Sequence, residues 1–231
     1  MQRHYPLPTT HYPLTYMPHD NRQYAAATER NRESILTVLQ RVLPSMGTVL
    51  EIASGTGQHA VFFAPRLAPR YWLPSDPQPV LRESIIAWSA AEPADNLLPP
   101  IILDATASRW PIEDLPKSAG VPEHPPISSL VNINMIHISP WEACLGLLAG
   151  AQRILPSGGI LYLYGPYQRE GQHTAPSNAS FDGWLRSQNP TWGVRHLEDV
   201  ITAAQSHQLH LQSVVKMPAN NLSVIFEFHG P

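Results

Sequence analysis

Cysteine, charge and long apolar runs are all scarce in this sequence of 231 residues. Cys144 is the only cysteine, which excludes an intramolecular disulfide and any zinc or redox site built from several thiolates. Charged residues make up only 14%, the formal net charge is -3, and no basic cluster is longer than the pair Arg30 and Arg32. Because a protein that binds many phosphates usually carries a basic stripe, we expect no nucleic-acid partner.

Membrane and metal signals are missing as well. No apolar stretch approaches the roughly 20 residues of a membrane helix, and the N-terminus lacks a signal-peptide pattern, which predicts a cytoplasmic protein without a membrane partner. The 11 histidines are scattered, and the close pair His207 and His210 has no third ligand at a suitable spacing. We therefore predict no metal site.

Proline, by contrast, is abundant, with 25 residues that cluster between apolar segments. The N-terminus holds two copies of one tetrapeptide, at residues 4–7 and 11–14, too few for a repeat architecture. The sequence predicts an extended N-terminal arm over residues 1–20. An apolar content of 43% and the remaining length fit one globular domain over residues 21–231.

Short apolar segments alternate with amphipathic ones along this domain. We predict strands over 48–53, 71–73, 101–103, 129–135 and 159–165, with helices between them. One helix is expected to open at Asp76-Pro77, and another at a capping box, Ser139 to Glu142. Two final strands, 209–217 and 222–228, are joined by four residues and must form a hairpin. The predicted fold class is α/β, a seven-stranded, mostly parallel sheet with a C-terminal antiparallel hairpin.

The sharpest local pattern is a glycine turn between the strand at 48–53 and its helix, Glu51-Ile52-Ala53-Ser54-Gly55-Thr56-Gly57. Glycines there let a ligand approach the backbone and the N-terminus of the helix. With Asp76 one strand later, the pattern also fits dinucleotide binding. Glu51 favours another ligand, because a carboxylate attracts a cationic amino group and repels a pyrophosphate.

This turn resembles the first motif of class I S-adenosylmethionine-dependent methyltransferases, an acid followed by three alternate glycines, with Ala53 in place of the first glycine. The resemblance implies a Rossmann-like fold and S-adenosylmethionine as cofactor. It also implies cofactor contacts for a set of residues at the strand ends: Glu51, Ala53, Gly55, Gly57, Asp76 at the ribose, Asp104 and Ala105 at the adenine, and Asn134 at the methionine part.

Further segments are similar to one small methyltransferase-like family of unknown function. They are residues 29–32, 165–167, 171–178, 189–193 and 220–222. Arg32 belongs to the first of them, near the start of a helix, where a basic residue does not favour the helix dipole. We predict that Arg32 contacts the cofactor carboxylate, with a solvated helix face as the alternative.

Three residues form the predicted catalytic set, His137, Tyr167 and His173. His137 follows the strand at 129–135, and an imidazole suits proton abstraction near neutral pH, although it could instead hydrogen-bond the adjacent turn. Tyr167 and His173 belong to a polar segment after the strand at 159–165, which we predict to be a substrate-facing lid. Its predicted substrate contacts are Thr174, Ser177 and Asn178, with an N-cap role as the alternative for Ser177.

Three functions follow from these patterns. The first is an S-adenosylmethionine-dependent methyltransferase that acts on a small-molecule substrate. The second is a nicotinamide-dependent oxidoreductase, which the acid at Glu51 disfavours. The third is a module that binds S-adenosylmethionine without catalysis.

Overall fold

The computed structural model describes residues 20–113 and 125–230, which contain six α-helices and eight strands. Apart from Asp20, the predicted arm over residues 1–20 lies outside the described residues. The helices are α1 (Ala26–Val42), α2 (Gln58–Arg66), α3 (Pro79–Ala91), α4 (Trp141–Ile154), α5 (Pro176–Gln188) and α6 (Leu197–Gln205). The strands are β1 (Thr48–Ile52), β2 (Tyr71–Pro74), β3 (Ile127–Ile133), β4 (Ile160–Arg169), β5 (Gln172–His173), β6 (Arg195–His196), β7 (Leu209–Met217) and β8 (Asn221–Phe228).

The main sheet has the strand order β2-β1-β3-β4-β8-β7. Its first four strands are parallel, whereas β8 runs antiparallel to both β4 and β7. The two-residue strands β5 and β6 pair with the end of β4. The predicted α/β class, the mostly parallel sheet and the C-terminal hairpin are therefore confirmed, with eight described strands instead of seven.

The sheet is covered on both faces, which explains why its central strands are continuous apolar runs. All five residues of β1 are buried. Leu50, Leu130 and Leu161 pack with residues of α4 and α6 on one face, and Val49 and Tyr162 pack with residues of α1 and α2 on the other. The carboxyl ends of β1 to β4 consequently meet at one edge, where open α/β sheets bind their ligands.

The predicted strand over 101–103 is reduced to a single bridge between Ile101 and Ser75. Pro99 and Pro100 precede it and have no N–H to donate to a ladder, and Ile102 is 60% exposed. Helix α3 begins at Pro79 and not at Asp76-Pro77. Gln78 stays extended because a residue before proline disfavours the helical region.

Two other local predictions were wrong. Ser139 does not cap α4, because its hydroxyl donates to the Met135 carbonyl at 2.8 Å in the preceding 3-10 turn. The polar segment after 159–165, predicted to be a lid, is largely regular structure: β4 continues to Arg169 and β5 follows. Ser177 lies inside the first turn of α5, so the alternative of an N-cap at Ser177 was wrong, and the N-cap is Ala175. No helix in the described ranges is both long and apolar enough to cross a membrane.

Candidate functional site

The predicted site residues fall into two groups along the carboxyl edge of the sheet. One group, the glycine-turn half, consists of residues 51–57 at the end of β1 and in the turn that follows, Asp76 after β2, and Asp104 and Ala105. The other, the histidine half, extends from the end of β3 to the start of α5. Its members are Asn134, His137, Tyr167, His173, Thr174, Ser177 and Asn178. The ends of β1 and β3 adjoin, because these strands are neighbours in the sheet.

The glycine turn has three residues in the left-handed backbone region, Ala53 (φ 57°), Gly55 (φ 56°) and Gly57 (φ 89°). A Cβ at Gly57 would lie 2.8 Å from the Ile85 Cα, so glycine allows α3 to pack closely there. At Gly55 a Cβ would meet no atom within 4 Å. The backbone at Gly55 is thus open to a ligand, beside the N-terminus of α2.

Asp76 connects the end of β2 to this turn. Its Oδ2 accepts a hydrogen bond from the Gly55 N–H at 3.1 Å, and its Oδ1 accepts one from the Gln78 N–H at 2.9 Å. Burial raises the pKa of this carboxyl, although both backbone hydrogen bonds act in the opposite direction. Since each carboxylate oxygen can accept more than one bond, Asp76 still has lone pairs for ligand hydroxyls.

Glu51 is only 2% exposed, and its Oε2 accepts a hydrogen bond from the Trp72 indole N–H at 3.0 Å. Burial raises the pKa of this carboxyl to about 7, against the lowering effect of the Trp72 and Ser54 contacts. No described lysine or arginine forms an ion pair with it. Glu51 is therefore a buried acid beneath the turn, with its charge not neutralised by a described basic side chain.

The other residues of the predicted cofactor set differ in exposure. Asp104 is exposed and closes a local turn, accepting from the Thr106 N–H at 2.8 Å, and Ala105 is buried against Gly146 of α4. The guanidinium of Arg32 lies 4.6 Å above the ring of Phe62, so its described contact is with α2 and not with the glycine turn.

His137 ends the 3-10 turn Met135–His137, which Asn134 enters with a φ of 65°. The His137 ring is 1% exposed, and neither of its nitrogens has a hydrogen-bond partner among the described residues. Burial lowers the pKa of this imidazole to about 3. The ring is consequently neutral across the physiological range and has a free lone pair.

Tyr167 packs edge-on against His137, with ring centroids 5.2 Å apart and an interplanar angle of 86°. Its hydroxyl is buried without a partner, as is Nδ1 of His173. Six buried side-chain polar atoms in the described ranges have no partner, and four of them belong to His137, Tyr167 and His173. Because buried polar groups are normally paired, this is where a bound polar ligand or ordered water would complete the structure.

The sequence did not single out the residues that hold the histidine half together. Asp182 accepts from the Val194 N–H at 2.7 Å, pairs with Arg186 at 2.9 Å, and lies 3.7 Å from His173 Nε2. The Gly193 N–H donates to the His137 carbonyl at 3.0 Å. The spacing of Asp182 and Arg186 by four residues was a visible signal for this contact.

Arg195, also missed, donates from Nε to the Ile136 carbonyl at 2.9 Å and from a terminal nitrogen to the Ser139 carbonyl at 2.6 Å. It therefore fixes the turn that carries His137. A cleft of about 230 Å³ lies beside it, lined by Trp141, Arg186, Val194, Arg195, His196 and Asp199.

Thr174, Ser177 and Asn178 join α5 to the β7–β8 turn. The Asn178 amide donates to the Thr174 hydroxyl at 2.9 Å and to the Asn220 carbonyl at 3.0 Å, and the Asn220 amide donates to the Ser177 hydroxyl at 3.4 Å. Thr174 and Ser177 are exposed. Within residues 20–113 and 125–230, no group of three or more histidine, cysteine, aspartate or glutamate side chains could hold a metal ion.

The chain is similar to one protein family in sequence and to several solved structures in fold. The family described as "Protein of unknown function (DUF938)" matches residues 22–228. Several solved structures share the fold. One is mitomycin 7-O-methyltransferase, with a TM-score of 0.70, 12% identity, and coverage of 90% of this chain and 56% of that one.

Human N-acetylserotonin methyltransferase in complex with S-adenosylmethionine superposes with a TM-score of 0.67 at 14% identity, covering 88% of this chain and 53% of that one. A methyltransferase of calicheamicin biosynthesis with S-adenosylhomocysteine bound gives 0.63 at 16% identity, covering 85% and 54%. The chain thus spans little more than half the length of these structures. Together they show that its fold is the Rossmann-like fold of class I methyltransferases.

Proposed function

We propose that this chain, which belongs to the family described as "Protein of unknown function (DUF938)", is an S-adenosylmethionine-dependent methyltransferase that acts on a small molecule. The observation that carries the proposal is the open backbone at Gly55, with the Asp76 carboxylate hydrogen-bonded directly to it. This pairing offers a nucleoside both a surface without side chains and an acceptor for its hydroxyls.

The residues of the glycine-turn half fit the cofactor in size and charge. Asp76 would accept the two ribose hydroxyls, and Asp104 with the Ala105 N–H would contact the adenine. Gly55 and Gly57 would lie against the methionine part, with Ala53 and Asn134 shaping the backbone around it. The buried Glu51 carboxyl beneath the turn favours a cationic ligand over a pyrophosphate, which argues for a sulfonium with an ammonium group and against a nicotinamide dinucleotide.

The bound cofactor would supply an electrophilic methyl group on a sulfonium. Asp76, Asp104 and the glycine turn would hold the cofactor, and the acceptor would take this methyl group in place of a proton, which a group of the protein would receive. Alignment of the two reactants contributes most, up to about 7–11 kcal/mol. The task of this chain is therefore to hold the acceptor in line and to exclude water.

His137 is our candidate for the group that receives the acceptor proton. Its ring is neutral, neither nitrogen has a described partner, and a lone pair is available. Because burial lowers its pKa to about 3, the ring is a weak base and would take the proton only as methyl transfer makes that proton strongly acidic. Tyr167 and His173 contribute further unpaired polar atoms, which would hydrogen-bond the acceptor. Thr174, Ser177 and Asn178 lie beside them where α5 begins, as substrate contacts. General-base help is worth about 10²–10⁴-fold in rate.

A small-molecule acceptor is favoured over a nucleic acid by the formal charge of -3. Two of the similar structures are themselves described by small molecules: mitomycin is named in one, and another, an O-methyltransferase from Planctomyces limnophilus, is in complex with apigenin.

Calorimetry with S-adenosylhomocysteine tests the cofactor assignment. We expect one site per chain with a dissociation constant in the range of about 1 μM to 1 mM, and no change in NADH fluorescence when NADH is mixed with the same protein. Absence of heat at millimolar S-adenosylhomocysteine would overturn the proposal. Incubation of the protein with cell extract and methyl-deuterated cofactor, followed by mass spectrometry, would then identify the methylated product.

A further inference from the structure

Residues 20–25, which we call the N-terminal segment, precede α1 and lie against α3. Trp88 of α3 holds this segment: its indole N–H donates to the Gln23 carbonyl at 2.9 Å, and the Tyr24 ring packs edge-on at 5.0 Å. The Arg22 guanidinium lies 5.0 Å from the centre of the same indole. The segment is thus anchored to α3 by three contacts with one side chain, Trp88.

One residue joins this segment to the glycine turn. The hydroxyl of Ser84, on α3 one turn before Trp88, accepts from the Gln23 N–H at 2.8 Å and donates to the Thr56 carbonyl at 2.7 Å. Ser84 is fully buried. Its single hydroxyl therefore satisfies one backbone group in the segment and one in the turn at the same time.

A second residue repeats the arrangement. Oε1 of Gln58, at the start of α2, accepts from the Ala25 N–H at 2.6 Å and from the Thr56 hydroxyl at 3.2 Å. Thr56 stands between Gly55 and Gly57 and is held from both sides. Both of the hydrogen bonds that hold it end on side chains that also hold the N-terminal segment.

We propose that Ser84 and Gln58 are positioning residues through which the N-terminal segment forms part of the cofactor site. Docking of the segment fixes the conformation of the glycine turn, and a ligand on the turn in return favours the docked segment. Such coupling is reciprocal by thermodynamic necessity. This inference rests on the proposed function, since the ligand in question is the methyltransferase cofactor.

Hydrogen exchange without any ligand tests the coupling itself. Ser84→Ala and, independently, Gln58→Met remove one bridge each and should raise amide exchange in residues 20–25 and in residues 54–58 together. Ser89→Ala is the matched control, because the Ser89 hydroxyl lies on the same helix and donates only to the Ile85 carbonyl. Faster exchange in one region but not in the other would overturn the proposal, as would equal changes in the control.

Titration of S-adenosylhomocysteine into the full chain tests the link to the cofactor. We expect Ser84→Ala to weaken binding about tenfold and Ser89→Ala to leave it within about twofold. Trp88→Phe removes the bond to Gln23 and none of the hydrogen bonds of the turn, yet it should also weaken binding, by about threefold. In the unmodified protein the ligand should slow amide exchange in residues 20–25. This slowing should be smaller in Ser84→Ala and in Trp88→Phe.

The outcomes separate the two ideas. Unmodified protein that binds S-adenosylhomocysteine while Trp88→Phe and Ser84→Ala bind it equally well would overturn the inference and leave the proposed function standing. Unmodified protein that does not bind it would overturn the proposed function. In that case the exchange measurements without ligand still decide whether the segment and the turn are coupled.

Discussion

The two halves of the carboxyl edge differ in how their polar groups are hydrogen-bonded. In the glycine-turn half, polar groups are hydrogen-bonded within the protein: Asp76 to Gly55 and Gln78, and Ser84 to Thr56. In the histidine half, four buried atoms of three side chains have no described partner. The comparison indicates that the glycine turn is held in one conformation by hydrogen bonds within the protein. The histidine half has buried polar atoms without hydrogen-bond partners, at the position where we propose that the acceptor binds. Such unpaired atoms lower the stability of the folded protein.

The halves should also respond to pH in opposite directions. Glu51 has a pKa raised by burial to about 7, so the folded chain keeps a proton that the unfolded chain releases. His137 has a pKa lowered by burial to about 3, so the folded chain excludes a proton that the unfolded chain binds. Stability therefore falls with rising pH because of Glu51 and with falling pH because of His137.

Replacement of His137 by phenylalanine should have the largest effect. Methyl transfer to the identified acceptor is expected to fall about 10²–10⁴-fold, because the proton acceptor is lost. The free energy of unfolding at pH 7 should not decrease, since neither nitrogen of His137 has a described partner. Stopped-flow single turnovers and urea denaturation measure the two quantities.

His59→Phe provides the contrast for that variant. His59 is also buried with a pKa lowered to about 3, but its Nε2 lies 2.9 Å from Asn31 Oδ1. The loss of this partner should cost about 1–3 kcal/mol of stability. If His137→Phe were destabilised as strongly as His59→Phe, the difference between the two halves would disappear.

Glu51→Gln sharpens the pH comparison. In the unmodified protein, the rise of this pKa from 4.5 to about 7 means that stability falls as pH increases through that window. The contribution amounts to about 3 kcal/mol in total. The difference in unfolding free energy between the two proteins should therefore vary with pH over this window and be constant above it.

Asp76→Ala tests whether the glycine-turn half is pre-organised for binding. The change removes the acceptors for the ribose hydroxyls and also frees the Gly55 N–H, so S-adenosylhomocysteine should bind about 100-fold more weakly. Asp95→Asn, at an exposed position, is the control and should leave the affinity unchanged. An unchanged affinity for Asp76→Ala in calorimetry would remove this residue from the cofactor site.

The turn of the glycine-turn half could be predicted from the sequence because its residues are consecutive in the chain. Seven consecutive residues, Glu51 to Gly57, contain the turn, and Ala53 indeed adopts the left-handed backbone where the resembling motif has glycine. The closing hairpin was equally local. Two predictions failed because local effects were overlooked: Pro99 and Pro100 leave only a bridge where a strand was predicted, and the Ser139 hydroxyl bonds the turn before it instead of capping α4.

The histidine half could be predicted only in part. His137 and Tyr167 were named one at a time, from their positions after strands. Their contact joins chain positions thirty residues apart, and the support from Asp182 and Arg195 comes from still later segments. No local pattern specifies which backbone carbonyl an arginine will reach, because that is settled when the elements pack.

The smallest expected effect concerns the stability contributed by the hydroxyl groups of two tyrosines in β4. Tyr162 shares a 2.6 Å hydrogen bond with the Ser223 hydroxyl, whereas the Tyr167 hydroxyl is buried without a described partner. Tyr162→Phe should therefore lower the unfolding free energy by about 1 kcal/mol, while Tyr167→Phe leaves it unchanged or raises it by up to about 1 kcal/mol. Urea denaturation of both variants decides the point. Equal losses would mean that the Tyr167 hydroxyl is already paired in the folded protein, and an acceptor would then have no unpaired group there to recognise.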